Sequence, residues 1–421
     1  GSGTGLASST AVTTISVAAL DDDAPTLGGL SGSAVAYTES AAATQLESGL
    51  TVADTDDANL TKAIVRISAG FATGEDVLAA TEGTTGLTAT YTASTGTLEI
   101  TGTGTKAKYQ EILRTVTYDN TNDSQPSTSA RTIIWQLYDG ANYSSAGTTT
   151  VNITASNDAP TGADAGATLA FTEGDGATVI DSTLTLADVD DTNLESATVQ
   201  ITGNFQTSED VLGFTNQSGI SGSYNASNGT LTLTGSATKA QYETAFESVT
   251  YNNTSDTPNT NNRTVTWIVN DGDTNSSGIT STISVAAAND VPALAGGGNV
   301  LQFSEGDSAI VVNNALTLSD AESTVVNRVE VVLAGTGSGE QLNFSDTSKI
   351  EGSWSSGTLT LSAVSGQSPT NAEYQAAIRT ITYSNTNTDT ADGNRTATFT
   401  AYEGSGTGLA SSTAVTTISV A

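Results

Sequence analysis

Cysteine, methionine and histidine are wholly absent from this 421-residue sequence. Without cysteine there is no disulfide framework and no thiolate chemistry, and without histidine as well the usual zinc and haem ligands are missing. Basic residues are scarce, 12 against 45 acidic ones, giving a formal charge of −33. A surface of that sign excludes nucleic acid and anionic membrane as partners and makes cations the natural counter-species. Spread along the chain, the charge stays under about 0.1 per residue, too thin to force disorder by repulsion alone. No apolar run approaches the roughly 20 residues that span a bilayer, so no membrane insertion is expected of this segment. There is no signal peptide, and the chain opens at Gly1 rather than Met, so it reads as an internal piece of something longer. Low cysteine, abundant Thr and Gly, and strong acidity suit an extracellular bacterial surface protein.

What is present is repetition. The stretch from Ala237 to Asp273 has counterparts beginning at Gly104 and at Thr370. Each copy opens with good helix formers free of Gly and Pro, as in Lys239 to Glu247. A β-branched run follows, ending in Tyr118, Tyr251 or Tyr383, then a polar loop. The copy closes on a strand of period two, with Val265, Trp267 and Val269 on one face and Thr264, Thr266 and Ile268 on the other. Around this block the same signals recur in the same order. Among them, Asn228-Gly229 predicts a two-residue hairpin turn with both residues at positive φ. Many short strands with turn signals and one short helix per copy predict an all-β class: tandem Greek-key β-sandwiches. The expected repeats are 25–158, 159–290 and 291–421, each of roughly 130 residues and able to bury a core of its own.

Residues 1–18 recur letter for letter as 404–421. In the third copy this text is a closing strand, so residues 1–24 read as the last strand and linker of a preceding repeat. The apolar positions Val12, Ile15 and Val17 alternate if a bulge is allowed near Thr13-Thr14. The simplest account is a long array in which a block of 403 residues (404 minus 1) repeats nearly verbatim.

Acids recur at matching places in an otherwise charge-poor chain. First strands end in Glu39, Glu173 or Glu305. Loops carry Asp54, Asp56 and Asp57, or Asp188, Asp190 and Asp191, or the sparser Asp320 and Glu322. Linkers contain Asp22 and Asp23, Asn157 and Asp158, or Asn289 and Asp290; later loops add Asp139, Asp271 and Asp273. Ca²⁺ prefers six to eight oxygen ligands from carboxylates, amides and carbonyls, and Asp188-x-Asp190-Asp191 presents several around one point. Glu173 with Asn157 and Asp158 would complete its shell. The plain alternative is that Asp and Asn cap loops and keep the surface soluble.

The patterns FTEGD, ADVDD, NDGD and NDAP, and the helix-to-Tyr segment, resemble the cadherin-like, chondroitin-sulfate-proteoglycan-type repeats of giant bacterial surface proteins, of which RTX-type adhesins are carriers. The resemblance covers essentially the whole chain. It implies a cadherin- or immunoglobulin-like sandwich, a rigid rod, and Ca²⁺ near the ends of successive repeats. By the same likeness, Asp271 and Asp273 would sit at the opposite pole and meet the next linker, Asn289 and Asp290.

Other signals point to structure. Trp135, Trp267 and Phe399 share one alternating position and read as core, and Tyr109, Tyr242 and Tyr374 as inward anchors of the helices. The run Gly335 to Gly339 lacks the context and the Lys of a phosphate cradle. A glycosidase needs two carboxylates at one place, whereas these acids recur in all three copies. The sequence therefore reads as non-enzymatic: a calcium-stiffened rod or extender of a bacterial surface adhesin or filament, extracellular and partnered by its neighbouring repeats. Two other readings are a self-assembling fibre or sheath, with identical chains meeting laterally or head-to-tail, and a carbohydrate-binding adhesin module. The last would expose an aromatic or an insertion peculiar to one repeat, and the sequence shows neither.

Overall fold

The computed structural model describes residues 9–16, 23–164, 166–322, 325–387, 392–404 and 409–421. Among them it is nearly all β, with three short helices. No helix is long and apolar enough to cross a membrane. Three hydrophobic cores form, drawn from residues 37–153, 171–285 and 294–420. By packing, the chain divides into two compact units. One comprises Gly1–Thr161 with Ala187–Asn193 and Asn270–Ser276; the other comprises Gly162–Leu186, Leu194–Val269 and Ser277–Ala421. The two acidic loops of the second repeat thus group with the linker that precedes them, to which Asn157 and Asp158 bond them.

In the first unit the strands are β1 (Thr26–Gly28), β2 (Val35–Thr38), β3 (Thr44–Gln45), β4 (Thr51–Ala53), β5 (Asn59–Ala69) and β6 (Asp76–Ala79). They continue with β7 (Thr88–Thr92), β8 (Thr97–Thr105), helix α1 (Lys106–Leu113), β9 (Thr117–Asn120), β10 (Arg131–Tyr138) and β11 (Gly147–Thr154). A six-stranded sheet of order β2-β11-β10-β5-β8-β7 faces a three-stranded one of order β3-β9-β6, and β1 pairs with β4. Pairing is antiparallel except between β2 and β11, which run parallel with Tyr37 opposite Ile153. On β10 the alternation is strict: Ile133, Trp135 and Leu137 are buried between the sheets. This is a Greek-key β-sandwich of the cadherin- and immunoglobulin-like class.

The second unit repeats the plan. Strands Thr168–Thr172 and Val300–Phe303 pair parallel with Ile279–Ala286 and Ala414–Val420, as β2 does with β11. Helices occupy Lys239–Glu247 and Asn371–Ile378, where the sequence places them, because Thr238 and Thr370 each form a capping box three residues before Gln241 and Glu373. The helix tyrosines Tyr109, Tyr242 and Tyr374 are buried, and that burial pushes each hydroxyl up to about 12. Each donates to one carbonyl, of Gly102, Gly235 and Asn327.

Two local expectations are corrected. Asn225 pairs with Thr230, so the hairpin closes through the four residues 226–229. Only Gly229, at φ +66°, takes positive φ, because the Asn225 side chain accepts from the Ser227 amide and folds the first half right-handed. Nor does the closing strand of the third repeat bulge. Ala414, Thr416, Ile418 and Val420 point inward in regular alternation while Val415 faces out. Thr416 is tolerated inside because Asn313 donates to its hydroxyl at 3.0 Å.

Each core also holds an ion pair that the sequence reading did not anticipate. Arg131 meets Asp76 at 2.8 Å, Arg263 meets Asp210 at 3.0 Å and Arg395 meets Glu340 at 2.7 Å. The second acid accepts also from Tyr251 and Asn253, the first from Tyr118 and Asn120. Each Arg lies 53 or 55 residues from its acid.

Candidate metal centres

Among the described residues three carboxylate trios converge, in each of which one oxygen per residue lies within 4.8 Å of the others: Asp54 with Asp57 and Asp139, Asp188 with Asp191 and Asp271, and Glu173 with Asp290 and Glu322. Two oxygens on opposite sides of one Ca²⁺ stand about 4.8 Å apart, twice a bond of ~2.4 Å.

The first trio is built by loop chemistry. The Asp54 Oδ1 accepts from the amides of Asp56 and Asp57 at 3.2 and 2.8 Å, which curls the loop after β4. Lys106, opening α1, donates to the carbonyls of Asp54 and Asp57 at 2.7 and 2.6 Å and holds it shut. The Asp139 Oδ1 accepts from Ala141 and Asn142, each at 2.6 Å, in the β10–β11 loop. One oxygen of Asp54 and one of Asp139 is thus spent on the fold. The Oδ2 atoms of Asp54, Asp57 and Asp139 are buried and receive no donor. From the linker, the Asp23 amide donates to the Asp56 carboxylate at 3.3 Å.

The second trio repeats this in the loops 187–193 and 270–276. Asp188 accepts from the amides of Asp190 and Asp191, and Asp271 from those of Asp273 and Thr274. Here the linker is engaged as well. The Asn157 side chain donates to Asp271 at 3.0 Å, and the Asp158 amide donates to Asp190 at 3.1 Å. Glu39, at the end of β2, accepts from the Ser156 amide at 2.7 Å, leaving its Oε1 buried without a donor, as is Asp158 Oδ2.

The third trio corresponds to Glu39, Asp158 and Asp190 one repeat further on. Glu173 accepts from Ala288 and Glu322 from the Asp290 amide, both at 2.9 Å, and Glu173 Oε1 is again buried without a donor. Asn289 donates to Glu403 at 2.8 Å, as Asn157 does to Asp271. Asp320 and Glu403 stand where Asp188 and Asp271 stand, but Ser323 replaces Asp57 and Asp191 in the sequence, so the third repeat has one carboxylate fewer.

At the poles the structure groups these acids as follows. Glu173 stands with Asp290 and Glu322 of the linker that follows its repeat, and Glu39 accepts from the Ser156 amide of the linker that follows its own. Asp271 meets Asn157 of the linker that precedes its repeat. The cause is the parallel pairing: β2 and β11 end side by side where the linker departs, whereas the β4–β5 and β10–β11 loops share the other end. Asp273 contributes its amide to Asp271, and Asp56 accepts from Asp23, so neither belongs to a trio. Glu305 ends its strand as Glu39 does, with its amide on the Ala421 carbonyl at 3.2 Å, and is in none of the three trios. Asp22 lies outside the described residues.

The electrostatics match a cation site. One acid in each trio has its carboxyl raised above the ordinary range: Asp57, Asp188 and Asp290. Desolvation is the largest cause in each, followed for Asp57 and Asp290 by neighbouring carboxylates and for Asp188 by opposing contributions from Asp190 and Asp191. Asp271 moves the other way: desolvation raises it, but the Asn157, Thr274 and Asp273 donors outweigh that. Buried carboxylate oxygens without donors are costly, and an all-oxygen donor set of this kind fits a hard divalent cation.

An aromatic peculiar to one repeat, which the sequence did not reveal, is exposed. Tyr143 is 49% accessible and stacks on Tyr138 with ring centres 4.4 Å apart; the matching bridges hold Asn270 with Asn275 and Tyr402 with Ala410.

No family model matches the chain. A stretch of 136 residues is 38% identical to halomucin of Haloquadratum walsbyi, covering 31% of this chain and 1% of halomucin. The chain thus spans a very small part of that relative. Among solved structures, protocadherin gamma B2 extracellular cadherin domains 1–5 align over 96% of this chain and 61% of their own, at TM-score 0.35 and 11% identity. Drosophila N-cadherin EC1–4 aligns over 92% of this chain and 73% of its own, at TM-score 0.25 and 10% identity. The fold assignment rests on the strand order itself.

Proposed function

We propose that this chain is a structural segment of a giant repetitive extracellular protein, a calcium-stiffened rod or extender of a bacterial surface adhesin or filament. In this reading its repeats are 25–158, 159–290 and 291–421, and it has no enzymatic role. The observation that carries the proposal is the set of buried carboxylate oxygens without donors, converging at the linkers. Ca²⁺, when bound, would supply positive charge where those oxygens repel one another. Asp54, Asp57 and Asp139 would hold it at the first pole, and Asp188, Asp191 and Asp271 at the second. Glu39, Asp158 and Asp190 would form a neighbouring position, which Glu173, Asp290 and Glu322 repeat. Asn157 and Asn289 present amide hydrogens, so they orient acids rather than ligate. Because linker amides already bond these same acids, holding them fixes the linker to the loops that follow it.

Ligand that binds only the folded state stabilises by about 2.7 kcal/mol per site at a hundred times its dissociation constant. Affinities near 10⁻⁴–10⁻³ M are ordinary for extracellular calcium modules. Thermal melting in EDTA and in 10–100 mM Ca²⁺, a range of about one hundred dissociation constants, combined with elemental analysis, tests the reading. Unchanged melting together with no bound calcium would overturn it. A carbohydrate-binding module has the single Tyr138–Tyr143 stack in its favour.

A further inference from the structure

Among the described residues, one end of each six-stranded sheet is a strand paired on one side only: Thr88–Thr92, Ser221–Asn225 and Ile350–Ser355. A free edge carries unpaired backbone groups and is a template for another chain, which proteins commonly discourage with Lys, Pro or a bulge. Thr88–Thr92 and Ser221–Asn225 hold no charge and no Pro, and Ile350–Ser355 holds only Glu351. Each pairs with the strand after it in unbroken register.

A different device recurs at all three edges. The Ala89 amide donates to the Glu82 side chain at 2.8 Å, the Gly222 amide to Asn216 at 3.0 Å and the Gly352 amide to Asp346 at 2.8 Å. In an antiparallel pair every second residue turns its backbone outward, so the next outward positions are Tyr91, Tyr224 and Trp354. The three acceptors occupy one place in the repeat, six residues after Asp76, Asp210 and Glu340. Their identities differ, and what they share is an oxygen on the edge amide. The longer Glu serves where seven residues separate the partners, and Asn and Asp serve where six do. The same segment lies against the edge by bulk. A Cβ on Gly222 or Gly352 would stand 2.6 or 2.9 Å from the ring of Phe214 or Phe344, and the first repeat has Ala89 and Ala80 at these places. All three hydrogen bonds are exposed. Water replaces an exposed partner at little cost, so fold stability does not explain why three different residues keep the contact.

We propose that these edge strands are pairing surfaces for a second copy of this chain, and that Glu82, Asn216 and Asp346 hold them closed. The partner is a second copy because it brings the same three edges tied together in one chain, so pairing at one raises the effective concentration at the next. An oxygen on the edge amide removes the donor that an arriving strand needs, and the segment carrying it stands in that strand's path. The device goes beyond the calcium reading and does not rest on it: it keeps neighbouring chains from zipping together side by side.

The test compares three chains by sedimentation velocity over a concentration series, amide hydrogen exchange and thermal circular dichroism, in Ca²⁺ and in EDTA. Salt is added to screen the charge of −33, which opposes association on its own. The chains are the parent, the triple variant Glu82→Ala, Asn216→Ala, Asp346→Ala, and the triple variant Glu82→Gln, Asn216→Asp, Asp346→Asn, which keeps each oxygen. The parent and the oxygen-keeping variant should be monomeric. The alanine variant should form concentration-dependent oligomers with its melting transitions intact and with slowed exchange at Tyr91, Tyr224 and Trp354. An alanine variant that stays monomeric while its Ala89, Gly222 and Gly352 amides exchange faster than the parent's overturns the proposal, as does a parent that associates to the same extent. Should the triple variant lose a melting transition, the three single alanine variants are read instead. Association of a folded one supports the proposal, and monomers with the faster exchange overturn it. Melting that is indifferent to EDTA would remove the calcium reading and leave this one standing.

Discussion

Replacing Arg263 by Met strands a carboxylate in the core of the second repeat. Arg263 is 0% and Asp210 2% exposed. The Arg263 Nε donates to both Asp210 oxygens at 3.3 and 3.0 Å, and Nη2 adds a bond to Oδ1 at 3.1 Å. Nη1 serves the carbonyls of Asn259, at 2.7 Å, and of Asn261. Breaking a buried pair from one side costs about 3–5 kcal/mol. Asp210 keeps Tyr251 and Asn253, at 2.6 and 3.0 Å, which places the loss in the lower half of that range. Against ~5–15 kcal/mol for a whole domain, such a loss is large. At roughly 3–5 °C per kcal/mol for a unit of this size, one transition should fall by on the order of 10–15 °C. Scanning calorimetry of the full chain in Ca²⁺ reads it, because the other two cores keep their own pairs. Adding Asp210→Leu should recover most of the loss, since an apolar pair of similar volume is often neutral. A shift below about 3 °C, or a double variant no better than the single, would refute the reasoning.

Without metal, Asp57, Asp188 and Asp290 titrate above their ordinary value of 3.8. The folded chain then holds extra protons, so in EDTA stability should rise as pH falls from neutral through their raised values. It should turn over only at lower pH, where Asp271, Asp181 and Glu373, whose carboxyls are lowered, take up protons. Melting curves at stepped pH that only decline below neutrality would contradict this. In saturating Ca²⁺ the upward limb should vanish, because protons then compete with the ion. Asp271→Asn should remove calcium from the second pole while leaving the Glu173 position filled, which titration calorimetry reads as lower stoichiometry; unchanged stoichiometry and affinity would clear Asp271 of the role. Gly235 stands at φ +135°, and a Cβ added there would lie 2.3 Å from the Gly219 carbonyl oxygen, so Gly235→Ala should cost about 1–3 kcal/mol in the second transition. A neutral effect on melting would show that this bend is soft.

Local pattern explains what was legible beforehand. Val265, Trp267 and Val269 announce their strand by alternation, and Lys239 to Glu247 announces its helix by good helix formers free of Gly and Pro. The acidic loops were visible because acids recur in a charge-poor chain. Which acids meet was not visible, since it depends on first and last strands pairing in parallel across more than a hundred residues, as Tyr37 does with Ile153. The Arg263–Asp210 pair was hidden for the same reason: a separation of 53 residues carries no local signal. A recurring Arg at the start of each penultimate strand, opposite a recurring acid, was the available clue. The hairpin was misread because Asn228-Gly229 looks like a two-residue turn until Asn225 is seen to claim the Ser227 amide.

The parallel pairing has a mechanical consequence. Tension along the chain pulls the start of β2 one way and the end of β11 the other. Parallel neighbours pulled from opposite ends slide past each other, so their hydrogen bonds are strained together instead of opening one after another. Each repeat is in this sense a shear clamp whose grip adds up along the strand. In the third repeat the clamp is Val300–Phe303 against Ala414–Val420.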